Sequence, residues 1–228
     1  MYKQQNIKIF TLTLAIINIV ALICLDFFNS QIVRLISSGL FLFMFFNFDV
    51  KDKLFIAFTS LLFIADALDL YYNSPYIIEA YSVVKTLAFG LLCFSLYKKM
   101  KTKKLGNSLS VLFIIVMIIN LLIGYITVSG VSGGMTASQL LSIQVYWFFC
   151  VVAAALAAKY YFCTESPKAV YIIIFTFLFV FTDLCGFIAN FIEVPSFYYG
   201  ERLLYLLGFF FLSQYLFFDQ IKDRIKVS

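Results

Sequence analysis

The sequence predicts an all-α fold: a polytopic membrane helical bundle of eight transmembrane helices, with both termini in the cytoplasm. Three observations predict it. Of 228 residues, 63% are hydrophobic and only 13% charged, at a mean hydropathy of +0.98, whereas a soluble domain is about a quarter charged. The apolar residues fall into eight runs, each close to the roughly 20 residues a helix needs to cross hydrocarbon. Lysine and arginine then gather on alternate connections, as the positive-inside rule requires.

The predicted spans cover about 7–25, 31–48, 54–72, 76–97, 108–128, 138–162, 168–192 and 199–218 of a single transmembrane domain. The first follows a basic start and an apolar core in "MYKQQNIKIFTLTLAIINIVALICL". A cleaved leader needs a small-residue site after that core, and "LICLDFF" offers none, so it reads as a retained span. The connections are short, which makes neighbouring helices antiparallel. With the N-terminus inside, 14 of the 17 basic residues lie in the cytoplasm: Lys3, Lys8, Lys51, Lys53, Lys98, Lys99, Lys101, Lys103, Lys104, Lys159, Lys168, Lys222, Arg224 and Lys226. Arg34 and Arg202 sit near outer helix ends and Lys85 lies mid-span. The expected location is a cell membrane, in a bacterium the inner one. The run "KKMKTKK" reads as a helix anchor under the same rule, not as a nucleic-acid patch. Residues 129–137, rich in Gly and Ser, read as an outer turn.

Composition excludes several chemistries. There is no histidine, so the commonest general base and metal ligand is missing. Cys24, Cys93, Cys150, Cys163 and Cys185 form no CxxC pair and read as small core residues. No metal and no cofactor are called for. No GxSxG appears, so serine-hydrolase chemistry has no support. Ser37 and Ser38 read as small residues that allow close helix contact. Trp147 reads as packing. Tyr71, Tyr72, Tyr76, Tyr198 and Tyr199 read as an aromatic belt at the outer boundary.

Ionisable groups inside spans are functional candidates by default. The third segment holds Asp66 and Asp69, the fourth Glu79 and Lys85, the seventh Asp183; the eighth opens on Glu201 and Arg202 and later carries Gln214. At about 1.5 Å per residue, Asp183 and Lys85 lie roughly 14 Å from the outer helix ends and Asp66 about 9 Å. A shared layer implies one cavity. The tight turn at "NSP" brings Asp66 level with about residue 83, within reach of Lys85, and Asp66 and Asp69 share a helix face. An ion pair that merely fixes helix register is the plain alternative. Asp183 has no basic neighbour in its segment, and a carboxylate so isolated in low dielectric holds its proton near neutrality, as a general acid must.

These residues carry a family resemblance. "FLFVFTDLCGFIANF" (177–191) resembles the second signature of the YhhN family, the lysoplasmalogenases, with Thr182 at its serine and Asp183 at its aspartate. "GFFFLSQYLFF" (208–218) is similar to the family's final helix, with Gln214 at its glutamine. "SLLFIADALDLY" (60–71) resembles the S-x-x-G-D helix, with Ala65 for its glycine and Asp66 as its aspartate. "FGLLCFSLYKK" fits the next helix approximately, with Tyr97 in place and Phe94 where the family has histidine. The resemblance implies an integral membrane hydrolase that cleaves the vinyl ether of lysoplasmalogen-like lysolipids to a fatty aldehyde and a glycerophospho-alcohol. It implies Asp66 and Asp183 as catalytic residues and Gln214 about the substrate; the ionisable groups Lys85, Asp69, Glu79 and Arg202 are read as substrate-binding beside them. Two carboxylates of different protonation suit this chemistry: one protonates carbon, the other stabilises the oxocarbenium ion and draws a proton from water. Asp183 is expected as the acid and Asp66 as the base, or the reverse.

Three other readings compete. A small proton-coupled transporter also needs intramembrane charge, but its helices are commonly broken by Gly or Pro, and Pro75, Pro167 and Pro195 all fall in connections. A retinal-type photoreceptor would use Lys85 for a Schiff base and Asp66 as counter-ion. A catalytically inactive, lipid-binding relative is the third.

Overall fold

In lipid every backbone N–H and C=O must be satisfied within its own segment, and a helix does this without partners. The computed structural model accordingly consists of helices, with no strand among the described residues, which are 2–48, 50, 52–71, 75–100, 106–130, 135–164 and 166–225. Eight helices follow in order: α1 (Tyr2–Cys24), α2 (Phe27–Asn47), α3 (Lys53–Asp69), α4 (Pro75–Lys99), α5 (Asn107–Gly130), α6 (Ala137–Thr164), α7 (Pro167–Phe191) and α8 (Phe197–Ile225). Lys51, Tyr72, the first two residues of the "NSP" turn, Lys101, Lys103, Lys104, residues 131–134 and Lys226 lie outside the described residues.

Among the described residues six helices, α1, α2, α4, α5, α6 and α7, are long and apolar enough to cross a membrane. That is fewer than the eight spans the sequence suggests. α3 has 17 residues, about 25 Å of rise, and α8 opens on Glu201 and Arg202 and carries Gln214 within it.

Local chemistry sets the ends. Asp26 caps α2, accepting from the Asn29 N–H, and Ser166 caps α7, accepting from the Ala169 N–H, with Pro167 at the first helical position. Because Asp26 caps it, α2 starts four residues earlier than the hydropathy of its run suggests. At α6, Thr136 and Gln139 form a reciprocal capping box: the Gln139 side chain accepts from the Thr136 N–H at 2.8 Å, and the Thr136 hydroxyl accepts from the Gln139 N–H at 3.3 Å. α7 closes into a turn whose Glu193 has φ 58°, the left-handed region.

The helices pack as two compact units. α1, α2, α7 and α8 form the terminal unit; α3, α4, α5 and α6 form the central unit.

In the terminal unit, α1 and α2 are antiparallel, joined by Asn18 Nδ2 donating to Ser37 Oγ at 2.8 Å. α7 and α8 are antiparallel, and Gly208 admits the Phe179 ring: a β-carbon at Gly208 would lie 2.9 Å from it. α2 runs parallel to α8, with Phe41 stacked on Phe209 at 4.9 Å and Phe45 against Phe217 at 6.2 Å. Aromatic rings form the interior of this unit, Phe179 and Tyr205 both meeting Phe209 edge-on. Among lipids, such packing rather than water exclusion holds helices together.

In the central unit, α3 and α4 are antiparallel, with Phe58 against Phe89 and the Lys99 ammonium over the Phe55 ring. α4 and α6 run parallel, tied by Ser138 to Glu79 at one level and Cys93 to Phe149 at another. α5 lies against α6 at Gly124, where a β-carbon would fall 1.8 Å from Trp147 Nε1. The indole donates to the Asn120 carbonyl at 3.2 Å, so Trp147 packs as the sequence suggests. This arrangement sets the start of α3, the end of α4, the start of α5 and the end of α6 at one end of the unit.

Candidate functional site

The central unit carries a buried polar layer. Asp66, Asp69, Ser82 and Lys85 are 2%, 8%, 2% and 3% exposed. The helix register brings them together. Advancing along α3 from Phe58 to Asp66 corresponds to retreating along α4 from Phe89 to Tyr81; the Phe55–Lys99 contact gives Ala88 by the same count. Lys85 lies between, so it stands level with Asp66, as the tight turn anticipates. Its ammonium lies 5.5 Å from the centre of the Tyr81 ring. Asp66, Asp69 and Lys85 each have an interaction partner. Glu79 turns elsewhere: half-buried, it accepts from Ser138 of α6 at 2.6 Å.

The terminal unit carries a second layer, at the starts of α2 and α8. Arg34 pairs with Glu201, and Arg202 Nη2 donates to Gln31 Oε1 at 2.8 Å. The Arg34 guanidinium lies 5.4 Å from the Tyr205 ring centre. All four polar residues are buried, Arg202 at 1% exposed. Burying two guanidiniums is costly without paired charge, and Glu201 supplies one partner. Glu201 uses one oxygen; the other, Oε2, has no hydrogen-bond partner among the described residues.

Asp183 belongs to this layer. On α7 it lies between Phe179, which packs on Gly208, and Gly186, whose β-carbon position is 3.5 Å from the Glu201 carboxyl. Spacings of four and three residues put all three on one face. Counting across the antiparallel pair from either contact gives Leu204 as the residue level with Asp183, two residues from Arg202. Asp183 is half-buried and has an interaction partner. The carboxylate is therefore not isolated, although the sequence suggests it to be. Nor do Arg34 and Arg202 merely sit at helix ends; both are core residues. Gln214 is buried, but ten residues from the level of Asp183, about 15 Å along α8, so it does not join this layer.

Gln31 and Arg34 are members of the layer that the sequence reading did not single out as candidates; Glu201 was named among the ionisable groups without a place about the substrate. A count outward from the α7–α8 turn would have found Glu201 and Arg202 opposite Asp183. Gln31 and Arg34 depend on α2 packing beside α8, which no local pattern encodes.

No family model, no curated protein and no solved structure matches the chain. The likeness to the YhhN family rests on the quoted residues alone. Two grooves on the surface, one lined by Phe10, Phe43 and Met44 and the other by Phe113, Met117 and Leu156, include none of the layer residues.

Proposed function

We propose that this chain is an integral membrane hydrolase acting on lysoplasmalogen-like lysolipids, with eight membrane-crossing helices and both termini cytoplasmic. The observation that carries the reading is the buried layer of the central unit, where two carboxylates stand with one ammonium inside an apolar helix pair. Asp66 and Asp69 share one helix face, so one carboxyl can act as acid and the other as base. A vinyl ether needs the acid's proton. Its transfer to the ether's outer vinyl carbon leaves an oxocarbenium ion that the carboxylates stabilise; water then adds, giving up a proton to a carboxylate. The resulting hemiacetal collapses to aldehyde and alcohol, and the layer regains its starting proton count. One pair of carboxyls serves as acid and base in turn.

Asp183 enters through the resemblance. Its α7 face meets the Glu201 carboxyl at Gly186. We assign the acid role to the Asp66–Asp69 pair. Unbroken helices also favour a hydrolase over a transporter, since Pro75 and Pro167 each open a helix and Pro195 lies in a turn.

Aldehyde release from a lysoplasmalogen by the purified protein in detergent, followed by mass spectrometry, tests the reading. Asp66→Asn is expected to lose at least 100-fold, the ordinary worth of a general acid, and Asp183→Asn to lose activity as the resemblance implies. Both variants are checked for folding by their melting curves. Full activity of a folded Asp66→Asn variant overturns the proposal.

A further inference from the structure

At the basic end of the central unit the surface between α5 and α6 opens into a groove of about 220 Å³. Phe113 and Met117 of α5 and Ala155 and Leu156 of α6 form its apolar walls; Ser110 and Lys159 provide its polar atoms. Phe113 meets Phe162 edge-on at 5.8 Å and closes one side. Lys159 lies five residues before the end of α6, about 8 Å from it along the axis, and is half-buried. It has no carboxylate partner among the described residues. Lys98 and Lys99 end α4 at the same end of the unit.

We infer that this groove is a binding site for one anionic phospholipid, its phosphate on Lys159 beside Ser110, whose hydroxyl donates to the Gly106 carbonyl at 3.2 Å, and the start of an acyl chain along Phe113, Met117 and Ala155. A half-buried lysine at the mouth of an apolar slot fits that ligand better than general lipid. The aliphatic stem lies in hydrocarbon and the head reaches the interface, where an anionic headgroup supplies the counter-charge. Basic pockets between helices on the cytoplasmic side select anionic headgroups in this way. The groove shares no lining residue with the buried polar layers and does not depend on the hydrolase reading. The occupant is a lipid and not free phosphate, because four of these six groove residues offer only apolar surface.

The test is native mass spectrometry of the full chain released from mixed micelles holding equal phosphatidylglycerol and phosphatidylcholine. The wild type is expected to retain phosphatidylglycerol preferentially. Lys159→Gln lowers the ratio about fivefold, the worth of one lysine near an anionic surface, while Lys159→Arg keeps it. Ala155→Phe, which fills the slot, lowers retention of both lipids. Lys98→Gln, at an exposed lysine resting on the Phe94 ring, leaves the ratio unchanged. An unchanged ratio in Lys159→Gln, an equal fall in Lys98→Gln, or displacement of the lipid by inorganic phosphate overturns the assignment.

Discussion

Replacing Glu201 by glutamine removes one charge from the arginine layer while keeping the shape of the side chain. Arg34 is 4% exposed and Glu201 6%, so neither charge can turn to solvent when its partner is lost. One-sided loss of a buried pair costs about 3–5 kcal/mol. Glutamine still accepts from Arg34 through its oxygen, so Glu201→Gln falls at the lower end, about 3 kcal/mol. Arg34→Met leaves the carboxylate without its cation and falls at the upper end. Removing both charges is a different perturbation: the pair's desolvation cost disappears together with its attraction. The double variant should therefore cost at least 2 kcal/mol less than the two singles added. At about 2–4 °C per kcal/mol for a chain of this size, Glu201→Gln shifts the melting midpoint down by about 6–12 °C. A thiol-reactive dye in detergent reads it, since Cys93 and Cys150 are free and buried. Additive costs, or single variants within about 1 kcal/mol of wild type, would refute the reasoning.

Gly124→Val places side-chain carbon where the Trp147 indole lies. It should destabilise by about 1–3 kcal/mol as overpacking, and the emission of the chain's single tryptophan should shift as the indole is displaced; an unchanged spectrum and melting point would remove Gly124 from the α5–α6 contact. Asp26 gives a pH signature. Hydrogen bonds from the Asn29 side chain hold its carboxyl below the usual value of 3.8, so its contribution is present above pH 3.8 and is lost as pH falls through the lowered value. Asp26→Asn caps without ionising, so the melting difference between wild type and variant should be constant from pH 7 to about 4.5 and change only below that. A difference that changes near pH 6 would mean another group is responsible.

Helix type and order were legible because long apolar runs leave the backbone no alternative in lipid. Ends were less so. α2 starts at Phe27 because Asp26 caps it, and α8 continues to Ile225, beyond its apolar run. The pairing of Asp66 with the level of Lys85 was legible because a short connection between Asp69 and Pro75 fixes the register of two antiparallel helices. The surroundings of Asp183 were less legible because its sequence neighbours are apolar, while Glu201 of α8 stands against the same α7 face at Gly186. A hydropathy run describes one helix, and a charged layer is a property of several.

The pairing of Arg34 with Glu201 spans 167 residues, and the terminal unit to which both belong is built from the two ends of the chain. At about 5–20 residues per second, a ribosome needs roughly 8–33 s to supply the glutamate after the arginine has emerged. For that interval α2 carries a guanidinium without its final counter-charge, while the whole central unit is being synthesised. A chain stalled before residue 201 should therefore keep α2 within crosslinking reach of the insertion machinery, where the finished protein should not.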